Sequence, residues 1–264
     1  MNVLILTDFS EVSNNAARYA VDFLEDSAAN FFFLNIQDFD FHPSASKILD
    51  KQVITILQKL EKSARELEMY KQNPQHNFNI ILSSENLISA VRMAVVEKKI
   101  DLIFIGAISQ KVHHHPILGD HAYDVVRKIQ CNILAIPANC KYHFLKNVIF
   151  PIDYAIQPEE EIPNIISRNH FFNNSRFTIL KLKEGKSSAV LVKEENSSLS
   201  TEFECLNQQT LEDFNEKSFG SLQKDYNLIF IIGKNLSICD RFLHSKYGLS
   251  ASIDLQLPIF VYHN

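Results

Sequence analysis

An acid and two hydroxyls, Asp8, Ser10 and Ser13, stand together where the apolar run Val3–Thr7 ends. A carboxylate and hydroxyls just beyond a buried strand are groups that an α/β fold can aim at a ligand. The same residue types also serve a structural purpose, because Asp and Ser at a strand-to-helix turn bond their own backbone. For Asp8 both readings stand, ligand contact and turn residue. A second group lies between Gly106 and Gly119, where His113-His114-His115 sits two residues past Lys111 and ahead of Asp120. Adjacent side chains point in different directions, so a His triplet lacks the paired spacing that metal ligands need. A solvated loop is expected there rather than a metal site; the alternative is that these His and Lys111 offset Asp120 near an anion. No Ser/His/Asp or Cys/His set has the supporting partners of a nucleophile. No catalytic residue is assigned, and the chain reads as a binding protein rather than an enzyme.

The elements that position these residues follow from a repeat. Val-Leu-Ile-Leu-Thr-Asp at Val3–Asp8 and Asp-Leu-Ile-Phe-Ile-Gly at Asp101–Gly106 return as Val-Ile-Phe-Pro-Ile-Asp at Val148–Asp153 and Asn-Leu-Ile-Phe-Ile-Ile-Gly at Asn227–Gly233. Short continuous apolar runs of this kind are parallel strands buried on both faces. In the first half, strands are expected at Val3–Thr7, Phe31–Ile36, Phe78–Leu82, Leu102–Ile105 and Ile133–Ile136. Between them lie a helix capped by Ser10, a long helix from about Ser46 to Tyr70, a helix lined by Leu87, Val91, Ala94 and Val95, and a last one on Ala122, Val125, Val126 and Ile129. The second half predicts strands at Asn147–Ile152, Phe177–Leu182, Glu202–Leu206, Leu228–Ile232 and Ile259–Tyr262, with a helix near Thr210–Leu222. A polar stretch at Lys183–Ser200 replaces its long second helix. Strands alternating with helices make an α/β chain of two doubly wound parallel-sheet domains, 1–140 and 141–264.

Composition sets the outer bounds. The 264 residues are 46% hydrophobic and 22% charged, enough apolar mass for two cores. Twenty Phe and no Trp point to bulky aromatic filler in those cores. A net charge of −5 argues against nucleic acid, which would need a basic face. No run approaches the roughly 18 apolar residues of a membrane span, and the opening segment lacks the pattern of a signal peptide. Cys131, Cys140, Cys205 and Cys239 form no C-x-x-C pair, so lone thiols and a cytoplasmic location are expected.

Leu6-Thr7-Asp8-Phe9-Ser10, the Gly106…Gly119 pair and Cys131-Asn132-Ile133-Leu134-Ala135-Ile136 resemble the universal stress protein family, and the likeness extends over the whole chain as a tandem pair. The resemblance implies the adenine nucleotide alpha hydrolase-like fold and an intramolecular pseudo-dimer made through the last strands. Further self-association into a homodimer of tandem chains, or a protein partner, is a separate expectation. It also implies a nucleotide cleft bounded by Asp8, Ile36, Gly106, Ser109, Gly119 and Asp120. In ATP-binding members the late loop reads G-x2-G-x9-G-[S/T]; here Ser109 stands at the middle Gly and Asp120 at the Ser or Thr.

These departures bear on occupancy. A phosphate loop works by aiming backbone N–H groups and a helix N-terminus at an anion. An Asp120 carboxylate capping that helix would compete for the same donors. Two unit charges about 4 Å apart at an effective dielectric near 20 repel by roughly 4 kcal/mol, on the order of a thousandfold in affinity. No cofactor is therefore expected, and AMP or ATP in the first half is the alternative. In the second half Tyr154-Ala155 follows Asp153, and Asn235 and Ser245 fall near the second and third glycines, so no intact loop remains. A stress-response binding or regulatory protein without the usual ATP-binding loop is expected.

Overall fold

The computed structural model describes residues 1–37, 46–107, 118–152, 170–183, 203–210, 223–233 and 256–263. Ser109, His113–His115, Asp153, the Lys183–Ser200 stretch beyond its first residue, the expected helix after Thr210, Asn235 and Ser245 lie outside them. The chain divides into two compact units. Unit 1 is residues 1–108 and 120–142, and unit 2 is residues 143–263 with 109–119.

Unit 1 runs β1 (Asn2–Leu6), α1 (Glu11–Phe23), β2 (Ala29–Ile36), α2 (Ser46–Tyr70), β3 (His76–Ser83), α3 (Leu87–Lys98), β4 (Leu102–Ala107), α4 (Asp120–Lys128) and β5 (Asn132–Pro137). Its strands are all parallel, in the order β3-β2-β1-β4-β5. The middle strands are continuous apolar runs because both faces are covered. Helices α1 and α2 pack together against β4, β5, β2 and β3, and α3 packs with α4 against β1, β2 and β4. Val3, Leu4, Ile5, Ile103 and Phe104 are buried completely. The two most deeply buried polar side chains of this core, Asn35 and His76, are tied to backbone. Asn35 donates to the Thr7 carbonyl at 2.7 Å, and the His76 ring reaches the carbonyls of Leu24 and Ser27, each at 3.1 Å, from its Nε2.

Unit 2 runs β6 (Asn147–Ile152), β7 (Arg176–Lys183), β8 (Phe203–Thr210), β9 (Leu228–Ile232) and β10 (Ile259–Tyr262), with a 3-10 turn at His170–Phe172. Its pairing is again all parallel, in the order β8-β7-β6-β9-β10. Numbered within each unit, both sheets read 3-2-1-4-5. The repeated phrases have a common physical task. In unit 1 the Asp101 carboxylate accepts from the Asn2 N–H at 2.7 Å, and the Asp101 N–H donates to the Asn2 carbonyl at 2.8 Å. In unit 2 the Asn227 side chain accepts from the Asn147 N–H at 3.0 Å, and its N–H donates to the Asn147 carbonyl at 2.8 Å. Each latch joins the first strand to the fourth where both begin.

Strand β8 runs four residues past the expected Leu206. Asn207-Gln208-Gln209-Thr210 has no apolar alternation, yet among the described residues the strand pairs with β7 alone, and an edge strand tolerates polar residues. The core of unit 2 is where the phenylalanines gather. Phe150, Phe230 and Phe260 sit in one register row across β6, β9 and β10, and Phe172 and Phe177 meet them edge-on. All five are fully buried.

Candidate functional site

The turn after β1 is built from its own side chains. Thr7 Oγ1 accepts from the Phe9 N–H at 3.1 Å, and Asp8 Oδ1 accepts from the Ser10 N–H at 3.0 Å. Ser10 caps α1, its Oγ accepting from the Ser13 N–H at 3.2 Å. The Ser13 hydroxyl donates to the Ser10 carbonyl at 3.0 Å, and it also meets the Ser10 and Thr7 hydroxyls, each at 3.3 Å. Between the two bonded residues Phe9 is forced to φ 65°, a left-handed conformation costing an L residue roughly 1–2 kcal/mol. Lys59 of α2 lies over its ring at 5.6 Å. Ser10→Ala is expected to lower stability by about 1 kcal/mol, because the first turn of α1 loses its cap. Urea denaturation reads the change; a loss too small to measure would mean that water replaces the Ser10 hydroxyl at no cost.

Burial alone would raise the Asp8 carboxyl. The hydrogen bonds offered by Ser10 and Ser13 outweigh it and hold the carboxyl below its ordinary value. Asp8 is therefore an anion at neutral pH, and the stability it contributes is lost as pH falls through that lowered value.

A cleft of about 250 Å³ opens beside this turn. Leu6, Leu34, Ile36, Val12, Leu87 and Ile105 make it apolar, Asp8 and Gly106 stand at the strand ends, and His121 enters from α4. Asp8, Ile36 and Gly106 are thus brought together. Asp120 is not among the lining residues. It is the first residue of α4 rather than the residue before it, so its carboxylate faces the helix dipole from inside the first turn. Gly119 precedes it at φ 76°, a conformation that favours glycine. Ser109 lies outside the described residues. Leu34 could have been found in the sequence, two positions before Ile36 and so on the same face of β2. His121 could not, because a lone His at a helix start carries no pattern.

Gly106 has a packing role. A Cβ there would sit 2.7 Å from Val12 Cγ1, 3.2 Å from the Val12 carbonyl carbon and 3.3 Å from the Ser13 nitrogen. The glycine lets the first turn of α1 lie directly against β4. Its counterpart in unit 2, Gly233, is covered differently, since a Cβ there would meet the His263 ring at 2.4 Å.

Cysteine chemistry is muted in this unit. Desolvation pushes the buried Cys131 and Cys140 thiols up to about 12, with the Asp101 charge adding to the effect at Cys131. Both stay protonated at neutral pH, and a protonated thiol is a poor nucleophile. Among the described residues no three His, Cys, Asp or Glu side chains gather closely enough to hold a metal ion. No helix among them is long and apolar enough to cross a membrane.

The universal stress protein family model matches residues 1–137. Among solved structures, a universal stress protein from Archaeoglobus fulgidus aligns over all of this chain and 96% of its own, at 10% identity and a TM-score of 0.59. Universal stress protein UspA from Lactobacillus plantarum aligns with 52% of this chain and 97% of its own, at 22% identity and a TM-score of 0.43. A universal stress protein family member from Burkholderia pseudomallei aligns with 52% of this chain and 95% of its own, at 19% identity and a TM-score of 0.38. No curated protein matches in sequence. At such identities the Archaeoglobus structure speaks for the fold, and the match over residues 1–137 speaks for the family. This chain belongs to the universal stress protein family.

Proposed function

We propose that this stress protein works by binding and regulation, and that its first unit keeps a strand-end cleft without holding a nucleoside triphosphate in the usual way. One observation carries the reading: the hydroxyls of the cleft are already bonded to one another. The hydroxyls of Thr7, Ser10 and Ser13 share a closed set of hydrogen bonds, and Asp8 presents a negative charge. What remains for a ligand is apolar wall, the Asp8 carboxylate and the His121 ring, a small set of polar groups that suits a neutral ring with donor and acceptor groups. The Asp120 carboxylate in the first turn of α4 adds to the penalty for phosphate at that helix start.

Isothermal titration of the full chain with Mg-ATP near neutral pH is expected to give a dissociation constant no tighter than high micromolar. Asp120→Ser is expected to tighten it, because the competing charge is gone. Tight binding by the unaltered chain would overturn the reading.

A nucleotide sensor is the second reading, supported by the meeting of Asp8, Ile36 and Gly106 on one cleft. It would show as adenine nucleotide retained through purification. It would also show as a melting temperature raised by AMP or ATP, since a ligand at a hundred times its dissociation constant adds about 2.7 kcal/mol. Unit 2 fits the role of a degenerate second domain that is structural rather than ligand-binding. Its sheet repeats the 3-2-1-4-5 order, while the His263 ring lies on the glycine that corresponds to Gly106.

A further inference from the structure

Unit 1 carries a second concavity of about 500 Å³, between α1, the C-terminal half of α2 and residues 140–142. It shares no lining residue with the strand-end cleft, and its volume is in the range of small-molecule sites. Its rim is fixed by Asn15, whose amide donates to the Pro137 carbonyl at 2.9 Å and the Cys140 carbonyl at 2.8 Å. Part of its wall is aromatic, with Tyr142 meeting the buried Tyr19 edge-on at 5.5 Å.

The charges of this cleft are unevenly engaged. Asp22 accepts from the Tyr70 hydroxyl with both oxygens, at 2.9 and 3.1 Å. Glu66 pairs with Lys62 at 3.8 Å. Arg18 and Lys141 line the same cleft, and the charged group of neither makes an ion pair or hydrogen bond among the described residues. Two available cations beside an aromatic ring, with both acids of the lining engaged and Glu25 and Asp26 outside it, suit an anion whose body is flat and apolar. A guanidinium takes a carboxylate through two parallel N–H···O bonds, the ammonium adds a point charge, and the part-exposed Tyr142 ring takes an aromatic body.

We propose that this cleft, with Arg18 and Lys141 at its rim and Tyr142 in its wall, binds a small aromatic carboxylate. The full chain titrated with benzoate should show saturable binding by calorimetry. Benzamide, which keeps the ring and loses the charge, should bind at least tenfold more weakly, and benzylamine not at all. Arg18→Gln and Lys141→Gln each remove one exposed cation, so the fold should be kept, as an unchanged urea midpoint would verify. Each should weaken benzoate by about tenfold, equal to about 1.4 kcal/mol. No saturable benzoate signal, equal binding of benzamide, a preference for benzylamine, or benzoate affinity unchanged in both variants would each overturn the proposal.

Discussion

Phe230→Ala is expected to be among the most destabilising single changes in unit 2, at about 3–5 kcal/mol. Phe230 is fully buried on β9 and stands at the centre of the aromatic cluster. It stacks on Phe260 at 5.3 Å and on Tyr262 at 6.3 Å, and meets Phe150 at 5.1 Å, Phe172 at 5.4 Å and Phe177 at 5.8 Å edge-on. Truncation removes the ring's transfer free energy and leaves a cavity walled by large rings in well-packed rotamers, which relax poorly. Edge-to-face pairs add about 0.5–1.5 kcal/mol beyond buried area, but pairs sharing one ring do not sum. The chain has no Trp to report unfolding by fluorescence, so circular dichroism in urea and hydrogen exchange are the measurements. Amides of β6, β9 and β10 should exchange faster than in the unaltered protein. Phe144→Ala is the matched control, since Phe144 is 55% exposed and its loss should fall within about 0.5 kcal/mol. A change below about 1 kcal/mol at Phe230 would show that the cluster closes over the gap.

The parallel strands of both units were legible because burial on two faces leaves a mark that polar surfaces cannot imitate. Val3–Leu6, Leu102–Ile105 and Leu228–Ile232 are unbroken apolar runs, and the sheets are built on them. Edge elements were less legible, as β8 shows, because one-sided pairing tolerates polar residues such as Asn207 and Gln208. The latches of Asp101 and Asn227 explain why the repeat carries an Asp/Asn ahead of the fourth strand, a role invisible until the first strand is placed beside it. At the site, Asp8 was accessible to reasoning from a strand end, whereas Ile36 and Gly106 came with the family resemblance. The left-handed Phe9 was not: nothing in its side chain announces positive φ, which is imposed by the bonds of Thr7 and Asp8 on either side. Arg18 and Lys141 lie far apart in sequence and have no shared pattern, so their common cleft could only be seen in the fold.

Gly106→Ala separates the two reasons a glycine can be needed at the end of β4. If the glycine serves only a ligand, adding a methyl group should leave the free protein's stability unchanged. The geometry argues otherwise, since the new Cβ would lie 2.7 Å from Val12 Cγ1 and within 3.2–3.3 Å of backbone atoms of Val12 and Ser13. Overpacking of this kind costs about 1–3 kcal/mol, and a loss in that range is expected for the free chain in urea. The closest of the three contacts is to a side-chain methyl, so Val12→Ala should recover part of the loss. It should not recover all of it, because the two backbone contacts belong to the capped first turn of α1, which Ser10 and Ser13 hold in place. A double-mutant cycle measures this directly: the pair should be less destabilising than the sum of the single changes, with a coupling of about 0.5–3 kcal/mol. Additive losses would mean that the methyl group is accommodated away from Val12. An undiminished stability in Gly106→Ala would return the glycine to the ligand, and with it the case for nucleotide at this cleft.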